Sequence, residues 1–165
     1  IEIPADRALR KSLMFDVKFQ HAEQLTQQAS ANVLQYDQLN AFSDLLQSHI
    51  GASDILEDYA LDLWEATQSP EKFGIVLDSV DVNRLIHSGA SPRGMGMLLK
   101  AARVHAWLMQ RDSLYPEDIH AVFHEIIAHR LVLNPMYESR RTALARELTS
   151  QILARVSVPS RAKAA

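Results

Sequence analysis

Apolar residues recur at intervals of three or four positions along most of the chain, which is the spacing typical of helices that bury one face. The clearest stripe joins Leu39, Phe42, Leu45 and Leu46, and Gly51 ends it. The pattern predicts a helical segment over residues 6–29, as one helix or two, and further helices over 37–49, 53–67, 92–110, 116–129 and 137–156. The chain is therefore predicted to be all-α, a small bundle of about five to six helices.

Residues 70–91 form the longest connection between predicted helices. Ser69-Pro70 ends the preceding helix, since proline cannot continue it and the residue before proline avoids α geometry. The segment is apolar enough to lie against the core, and Val82 to His87 are expected to form a short helix. A connection of this length inside a compact domain is usually functional or partly structured.

The most distinctive helix start is the hexapeptide Gly89-Ala90-Ser91-Pro92-Arg93-Gly94. Ser91 is a preferred N-cap and Pro92 suits the first helical position, so a helix is predicted to begin at about residue 92. Arg93 then lies in the first turn, where the helix dipole disfavours a cation by about 0.3–1 kcal/mol. An anion bound beside free first-turn N–H groups, most naturally a phosphate, would explain this arginine. The alternative is a solvated surface arginine without a ligand.

Further motifs follow this helix start in a fixed order. They are Leu98-Leu99-Lys100-Ala101-Ala102-Arg103, Arg111-Asp112, Tyr115-Pro116-Glu117-Asp118-Ile119 and His129-Arg130-Leu131-Val132-Leu133-Asn134-Pro135. In this order and spacing, the residues from about Val33 to Pro159 resemble the small helical lid of the MoxR-like AAA+ ATPases. The resemblance implies the AAA+ lid fold, and it implies that Arg93 is the sensor-2 residue, which reaches the nucleotide phosphates from the lid.

The resemblance also implies a function. A lid of this family closes over ATP, which a large core domain holds together with Mg²⁺, and couples ATP hydrolysis to chaperone-like remodelling of client proteins. The nucleotide-binding residues implied in this chain are Arg93, Ser91 and Gly94. Members of the family form ring homo-oligomers, and their clients often contain a von Willebrand A-type domain.

Nucleotide hydrolysis is not expected from these residues alone. The sequence has no Gly-x-x-x-x-Gly-Lys-Ser/Thr loop and no strand-borne acidic pair for magnesium. Because residues 1–4 read as the end of a strand, we expect a fragment of a longer ATP hydrolase, with no catalytic residue and no bound nucleotide of its own. In this interpretation 1–36 are an entry segment and linker helix from the core, 37–135 the helical lid, and 136–165 a C-terminal helix and flexible tail.

Three positions depart from the usual family pattern. Gly94 and Gly96 stand where alanine or serine is frequent, and each costs about 0.8–1.0 kcal/mol relative to alanine inside a helix. Close approach to a phosphate or a neighbouring domain would explain them, and so would tight packing against another helix. Tyr115 stands where threonine or serine usually precedes the proline. Since tyrosine does not cap, Ser113 or water is expected to serve, and the helix start should be weaker.

Composition and charge narrow the classes of function. The net charge of −3 argues against general attraction to nucleic acid or anionic lipid, and the absence of cysteine excludes disulfides and thiolate chemistry. No apolar run approaches the ~20 residues that span a bilayer, so a cytoplasmic protein is expected. His120 and His124 share a helix face with Glu117, but a polar helix edge explains them better than a metal site.

Two other functions stay open. One is a helical protein–protein interaction module without a nucleotide role, with the 70–91 connector or the final helix as its docking surface. The other is a helix-turn-helix DNA-binding protein, for which the cations would be Arg93, Lys100, Arg103 and Arg111. These four do not share one helix face, and the overall charge is unfavourable, so no nucleic-acid partner is expected.

Overall fold

The computed structural model describes residues 4–19, 21, 23 and 35–159. These residues form six α-helices: α1 (Arg7–Phe15), α2 (Leu39–His49), α3 (Asp54–Gln68), α4 (Pro92–Leu108), α5 (Pro116–Ile127) and α6 (Arg141–Arg155). Short 3-10 turns occupy Val17–Phe19, Tyr36–Gln38, Pro70–Phe73, Val82–Arg84, Ala128–Arg130 and Pro135–Arg140. The prediction of a mostly helical bundle is confirmed, with one small sheet that the sequence did not reveal.

The chain divides into two compact units, Ile1–Ala41 and Phe42–Ala165. In the first, α1 begins at Asp6, whose carboxylate accepts a hydrogen bond from the N–H of Ala8 at 2.8 Å. None of the α1 side chains is buried. The helical segment predicted over residues 6–29 is observed as α1 and the turn at Val17–Phe19, and most of its remainder lies outside the described residues.

The core of the second unit is built by α3, α4, α5 and α6 together. Its fully buried side chains include Leu63, Leu98, Ala102, Ala106, Ile119, Phe123, Ile127, Leu144, Leu148 and Ile152. Ala102 and Ala106 place small side chains on the buried face of α4, which allows α5 to pack close to it. Because Leu144, Leu148 and Ile152 are buried here, the apolar face of the final helix is part of the core.

Local capping signals place most helix ends close to where the sequence predicts them, but the last helix begins at Arg141 and not at Tyr137, because a 3-10 turn occupies Pro135–Arg140. The hydroxyl of Ser53 caps α3 by accepting a hydrogen bond from the N–H of Leu56 at 3.4 Å. Helix α4 ends two residues before the predicted boundary, because Gln110 adopts a left-handed conformation with φ 58°. The N–H of Arg111 then bonds the carbonyl of Ala106 at 3.0 Å, as in a Schellman motif.

The connector at residues 70–91 is partly structured, as predicted, but not as a short helix over Val82–His87. A 3-10 turn at Val82–Arg84 leads instead into β1 (Ile86–Ser88), which pairs antiparallel with β2 (Val132–Leu133). The N–H of Asn134 extends this pairing by donating to the carbonyl of Leu85 at 2.8 Å. The sheet therefore joins the end of the connector, just before α4 in the chain, to the segment that follows α5.

In the parts of the chain that the structure describes, every helix is too short or too polar to traverse a bilayer.

Candidate functional site

The first turn of α4 is largely satisfied by its own residues. The hydroxyl of Ser91 accepts a hydrogen bond from the N–H of Gly94 at 3.2 Å, and the carbonyl of Ser91 accepts one from the N–H of Met95 at 3.0 Å. Pro92 has no N–H to offer. The sequence suggested several free N–H groups here, whereas within the described structure only the N–H of Arg93 is left open among the first four helical positions.

The side chain of Arg93 is exposed at this helix start. Among the described residues no carboxylate lies within ion-pair distance of it, and it makes no hydrogen bond. Other arginines of the domain are used internally: Arg103 bonds the carbonyl of Ile50 and Arg111 bonds Asp118. Arg93 is therefore a cation available to a ligand that approaches from outside this unit.

The end of α3 holds the two residues that precede the helix start. Trp64 and Gln68 both donate to the carbonyl of Ala90, each at 2.7 Å. The side-chain oxygen of Gln68 accepts from the N–H of Gly89 at 3.2 Å, and the hydroxyl of Thr67 accepts from the N–H of Ala90 at 3.1 Å. These four hydrogen bonds fix the backbone from which Arg93 projects, and we call Trp64, Thr67 and Gln68 the α3 clamp.

None of the three residues of the α3 clamp is among the candidate site residues predicted from the sequence. The structure places Trp64 at the edge of the core, with its indole N–H on the backbone of the motif. Contacts that bridge 21 to 26 positions leave no local pattern in a sequence.

The two glycines of α4 have different surroundings. A Cβ atom at Gly94 would lie 2.9 Å from Cδ of Arg130 and 3.5 Å from its Nε, so the stem of this arginine crosses the first turn. A Cβ atom at Gly96 would meet nothing within 4 Å. Gly94 is thus explained by tight packing, although against an arginine side chain rather than a helix, whereas packing within the described structure does not account for Gly96.

The start of α5 is secured by Asp118, not by Ser113 as expected. The carboxylate of Asp118 reaches back to accept from the N–H of Tyr115 at 3.0 Å, while the hydroxyl of Ser113 donates to Asp112. The same buried carboxylate binds Arg111 at 2.9 Å and His105 at 2.8 Å. We call His105, Arg111 and Asp118 the buried triad; it joins the end of α4 to the start of α5, which strengthens that start.

The histidines of α5 contact other helices. His120 Nε2 shares a hydrogen bond of 2.6 Å with the hydroxyl of Tyr59 on α3, and His124 Nδ1 shares one of 2.7 Å with the hydroxyl of Thr149 on α6. Within the described segments no three His, Asp or Glu side chains are grouped so as to hold a metal ion. These histidines are therefore cross-helix contacts, a more specific role than the polar helix edge inferred from sequence.

The contact between Tyr59 and His120 predicts a pH effect on stability. Burial lowers the pKa of His120 below its ordinary value of 6.5, with Glu117 opposing the shift, and burial raises the pKa of Tyr59 to about 12. Below pH 6.5 the unfolded chain takes up a proton that the folded His120 resists, so folding free energy is lost as the pH falls through that range. In urea unfolding at pH 7.5 and pH 5.5, we expect the wild type to lose more stability than His120→Gln. Equal losses would contradict the assignment.

Comparison with known proteins identifies the family to which this fold is similar. The AAA lid domain family matches residues 80–155, a range that contains α4, α5 and α6. A crystal structure of a presumed ATPase from Cytophaga hutchinsonii is similar at a TM-score of 0.60 with 31% sequence identity, over 70% of this chain and 33% of that one.

Curated relatives extend the match to nearly the whole chain. Protein MoxR of Methylorubrum extorquens is 41% identical over 159 residues, which are 96% of this chain and 46% of the relative. Protein MoxR of Paracoccus denitrificans is 38% identical over 97% of this chain and 47% of the relative. Chaperone MoxR1 of Mycobacterium tuberculosis is 31% identical over 76% of this chain and 33% of the relative. This chain thus spans just under half the length of the first two, and it belongs to the MoxR-like AAA+ proteins, of which it contains the helical lid.

Proposed function

We propose that this chain is the lid that closes over ATP bound to the core domain of a MoxR-like ATPase, with Arg93 as the sensor-2 residue on the terminal phosphate. The observation that supports the proposal best is the state of Arg93. It is exposed, free of any internal carboxylate in the described structure, and carried by a backbone that four hydrogen bonds hold in place.

The roles of Ser91 and Gly94 in this proposal are supporting ones. Because the Ser91 hydroxyl and the Gly94 N–H bond each other, they fix the first turn and leave the phosphate contact to Arg93. The chain contains no phosphate-binding loop, so the triphosphate and its Mg²⁺ would be held by the core of the whole protein. The lid would supply a cation and the rotation that follows loss of the terminal phosphate.

The free energies of binding support a core that holds the nucleotide and a lid that adds one phosphate contact. One charge-assisted hydrogen bond contributes about 1.5–3 kcal/mol, whereas even millimolar binding requires about 4.1 kcal/mol. The 165 residues alone are therefore expected to bind MgATP too weakly to detect at millimolar concentration. Tight binding by these residues, measured by titration calorimetry, would refute the proposal that the core holds the nucleotide.

The direct test is Arg93→Ala in the full-length ATPase. Loss of one charge-assisted contact to the terminal phosphate should lower kcat/KM for MgATP by about 10- to 150-fold. Since the Arg93 side chain makes no internal hydrogen bond or ion pair in the described structure, and the helix dipole disfavours a cation there, the thermal unfolding midpoint should not fall. Lys100→Ala, an exposed cation two turns further along α4, serves as the matched control and should retain turnover. Unaltered turnover of Arg93→Ala would overturn the sensor-2 assignment.

The remaining parts of the proposal concern the whole protein. We propose a cytoplasmic ring homo-oligomer that remodels client proteins, including proteins with a von Willebrand A-type domain. In it, residues 1–36 would link core and lid. The chaperone name of the Mycobacterium tuberculosis relative supports the remodelling role.

A protein-interaction module without a nucleotide role is the second candidate. The apolar face of α6 is buried, which argues against the final helix as the docking surface. A groove of about 880 Å³ near the end of α4 is the better candidate; its walls include Phe42, Leu45, Trp107 and Leu108. Cross-linking of a client to this groove in a protein that lacks an ATPase core would favour this function.

The DNA-binding alternative loses support from the structure. Of its four cations, Arg103 donates to the carbonyl of Ile50 and to Gln47, and Arg111 binds the buried Asp118. Only Arg93 and Lys100 remain exposed, too few to produce the steep salt dependence of DNA binding.

A further inference from the structure

A second arginine lies at the same helix start as Arg93. The 3-10 turn Ala128–Arg130 extends α5 and brings the stem of Arg130 across Gly94, the residue that follows Arg93. The side chain of Arg130 comes as near as 2.9 Å, through Cδ, to the place where a Cβ atom of Gly94 would be. The absence of that Cβ leaves room for the arginine, so the stem of Arg130 lies against the turn that carries Arg93.

Arg130 is held by groups that leave its charge unneutralised. Its Nη1 donates to the carbonyl of Ile126 and contacts the ring of His129. No carboxylate of the described residues pairs with it, whereas Arg111 and Arg141 each have an acidic partner. Its Nε and Nη2 make no hydrogen bond within the described structure, so donors remain for an external ligand.

Neither arginine has an acidic partner at this helix start. Arg93 lies in the first turn of α4, where the helix dipole disfavours a cation, and the stem of Arg130 crosses the same turn. The sequence has 20 acidic residues against 17 basic ones, yet none of the described acidic side chains pairs with either arginine. A ligand with several adjacent negative charges, such as a polyphosphate, would supply an anionic partner to both cations at once.

We propose that Arg130 is a second phosphate-binding residue of the lid, which contacts the polyphosphate of the nucleotide beside Arg93. This inference rests on the proposed function. The two arginines would have different roles. Arg93 is exposed and free, and it would respond to the terminal phosphate. Arg130 is fixed through Nη1, and it would contribute to binding of both ATP and ADP. Arg130 would therefore affect KM more than kcat, because its contact exists before and after phosphate loss.

The competing explanation is structural, since a cation that bonds a carbonyl near the end of α5 stabilises that helix terminus. Arg130→Gln and Arg130→Lys in the full-length ATPase separate the two roles. We expect Arg130→Gln to raise both KM for MgATP and Kd for MgADP about tenfold, with kcat within about twofold. Arg130→Lys should recover most of the affinity. Arg155→Gln, which removes an exposed cation at the end of α6, should leave both constants unchanged.

The outcomes distinguish this inference from the proposed function. If Arg130→Gln lowers only the unfolding midpoint while KM and Kd stay within about twofold of wild type, Arg130 is structural and the inference is wrong. The sensor-2 proposal survives that result as long as Arg93→Ala still lowers turnover. If neither variant changes turnover or affinity, the nucleotide role of the lid itself is wrong.

Discussion

Gly89→Ala should destabilise the domain by at least about 3 kcal/mol, the upper end of ordinary overpacking, because the new side chain would collide with backbone. A Cβ atom at Gly89 would lie 2.4 Å from the carbonyl oxygen of Thr67 and 2.7 Å from its carbonyl carbon. It would also lie 2.7 Å from Cδ of Gln68. Side chains can rotate away from such a contact, but the carbonyl of Thr67 belongs to the last turn of α3 and cannot move without the helix.

The collision would also reach the proposed site. Gly89 and Ala90 take part in all four hydrogen bonds of the α3 clamp, two as donors and two as acceptors, so displacement of Gly89 weakens the hold on the backbone before Arg93. Full-length Gly89→Ala should therefore lose MgATP turnover as well as stability, to an extent at least comparable with Arg93→Ala.

Chemical unfolding of Gly89→Ala and Gly96→Ala provides the measurement and its control. Gly96 lies in α4 with open space around its missing Cβ, so alanine should stabilise the chain there by about 0.4–1 kcal/mol. Opposite signs for the two substitutions are expected. If the Gly89→Ala chain is as stable as the wild type, the carbonyl oxygen of Thr67 is not as close as 2.4 Å to the Cβ position of residue 89.

The helices could be predicted because their signals are local. Ser53, Ser91 and Pro92 each act within one turn of their own position, and the structure places them as helix starts. The short sheet could not be predicted in the same way. Its first strand, Ile86–Ser88, is too brief for a clear alternation, and its partner Val132–Leu133 lies more than 40 positions away in the chain.

The start of α5 shows how one substitution can hide a local signal. A serine or threonine before Pro116 would have marked a capping box with Asp118. Tyr115 removes half of that pattern, but the other half operates, since Asp118 still accepts the N–H of Tyr115. An acidic residue three positions into a helix was therefore a usable signal, although its partners Arg111 and His105 were not foreseeable from spacing.

The residues of the candidate site also differ in whether a local sequence signal points to them. Arg93 was predictable because a cation in a first turn is locally unfavourable and because ordered motifs follow it. Arg130 stood in one of those motifs, yet its position against Gly94 depends on how the end of α5 meets the start of α4. Chemistry that needs two elements to meet cannot be read from either one alone.

Asp118→Ala is the second substitution with a large expected effect, a loss of about 3 kcal/mol or more in unfolding free energy. The side chain of Asp118 is 0% exposed and serves three donors: Arg111, His105 and the N–H of Tyr115. Removal leaves all three without their acceptor. Because 34% of the Arg111 side chain is exposed, water can partly solvate its charge, which places the loss nearer the lower end of the range of about 3–5 kcal/mol for breaking a buried pair.

Glu117→Ala is the matched control, since Glu117 is the adjacent acidic residue in the same first turn but is exposed. It should cost only the dipole interaction, about 0.3–1 kcal/mol. The double variant Asp118→Ala with Arg111→Ala should lose less than the sum of the single losses, because both changes remove the same ion pair. Urea unfolding of the wild type, the two single variants and the double variant measures this coupling. Additive losses, or equal losses for Asp118→Ala and Glu117→Ala, would mean that the buried triad does not join α4 to α5.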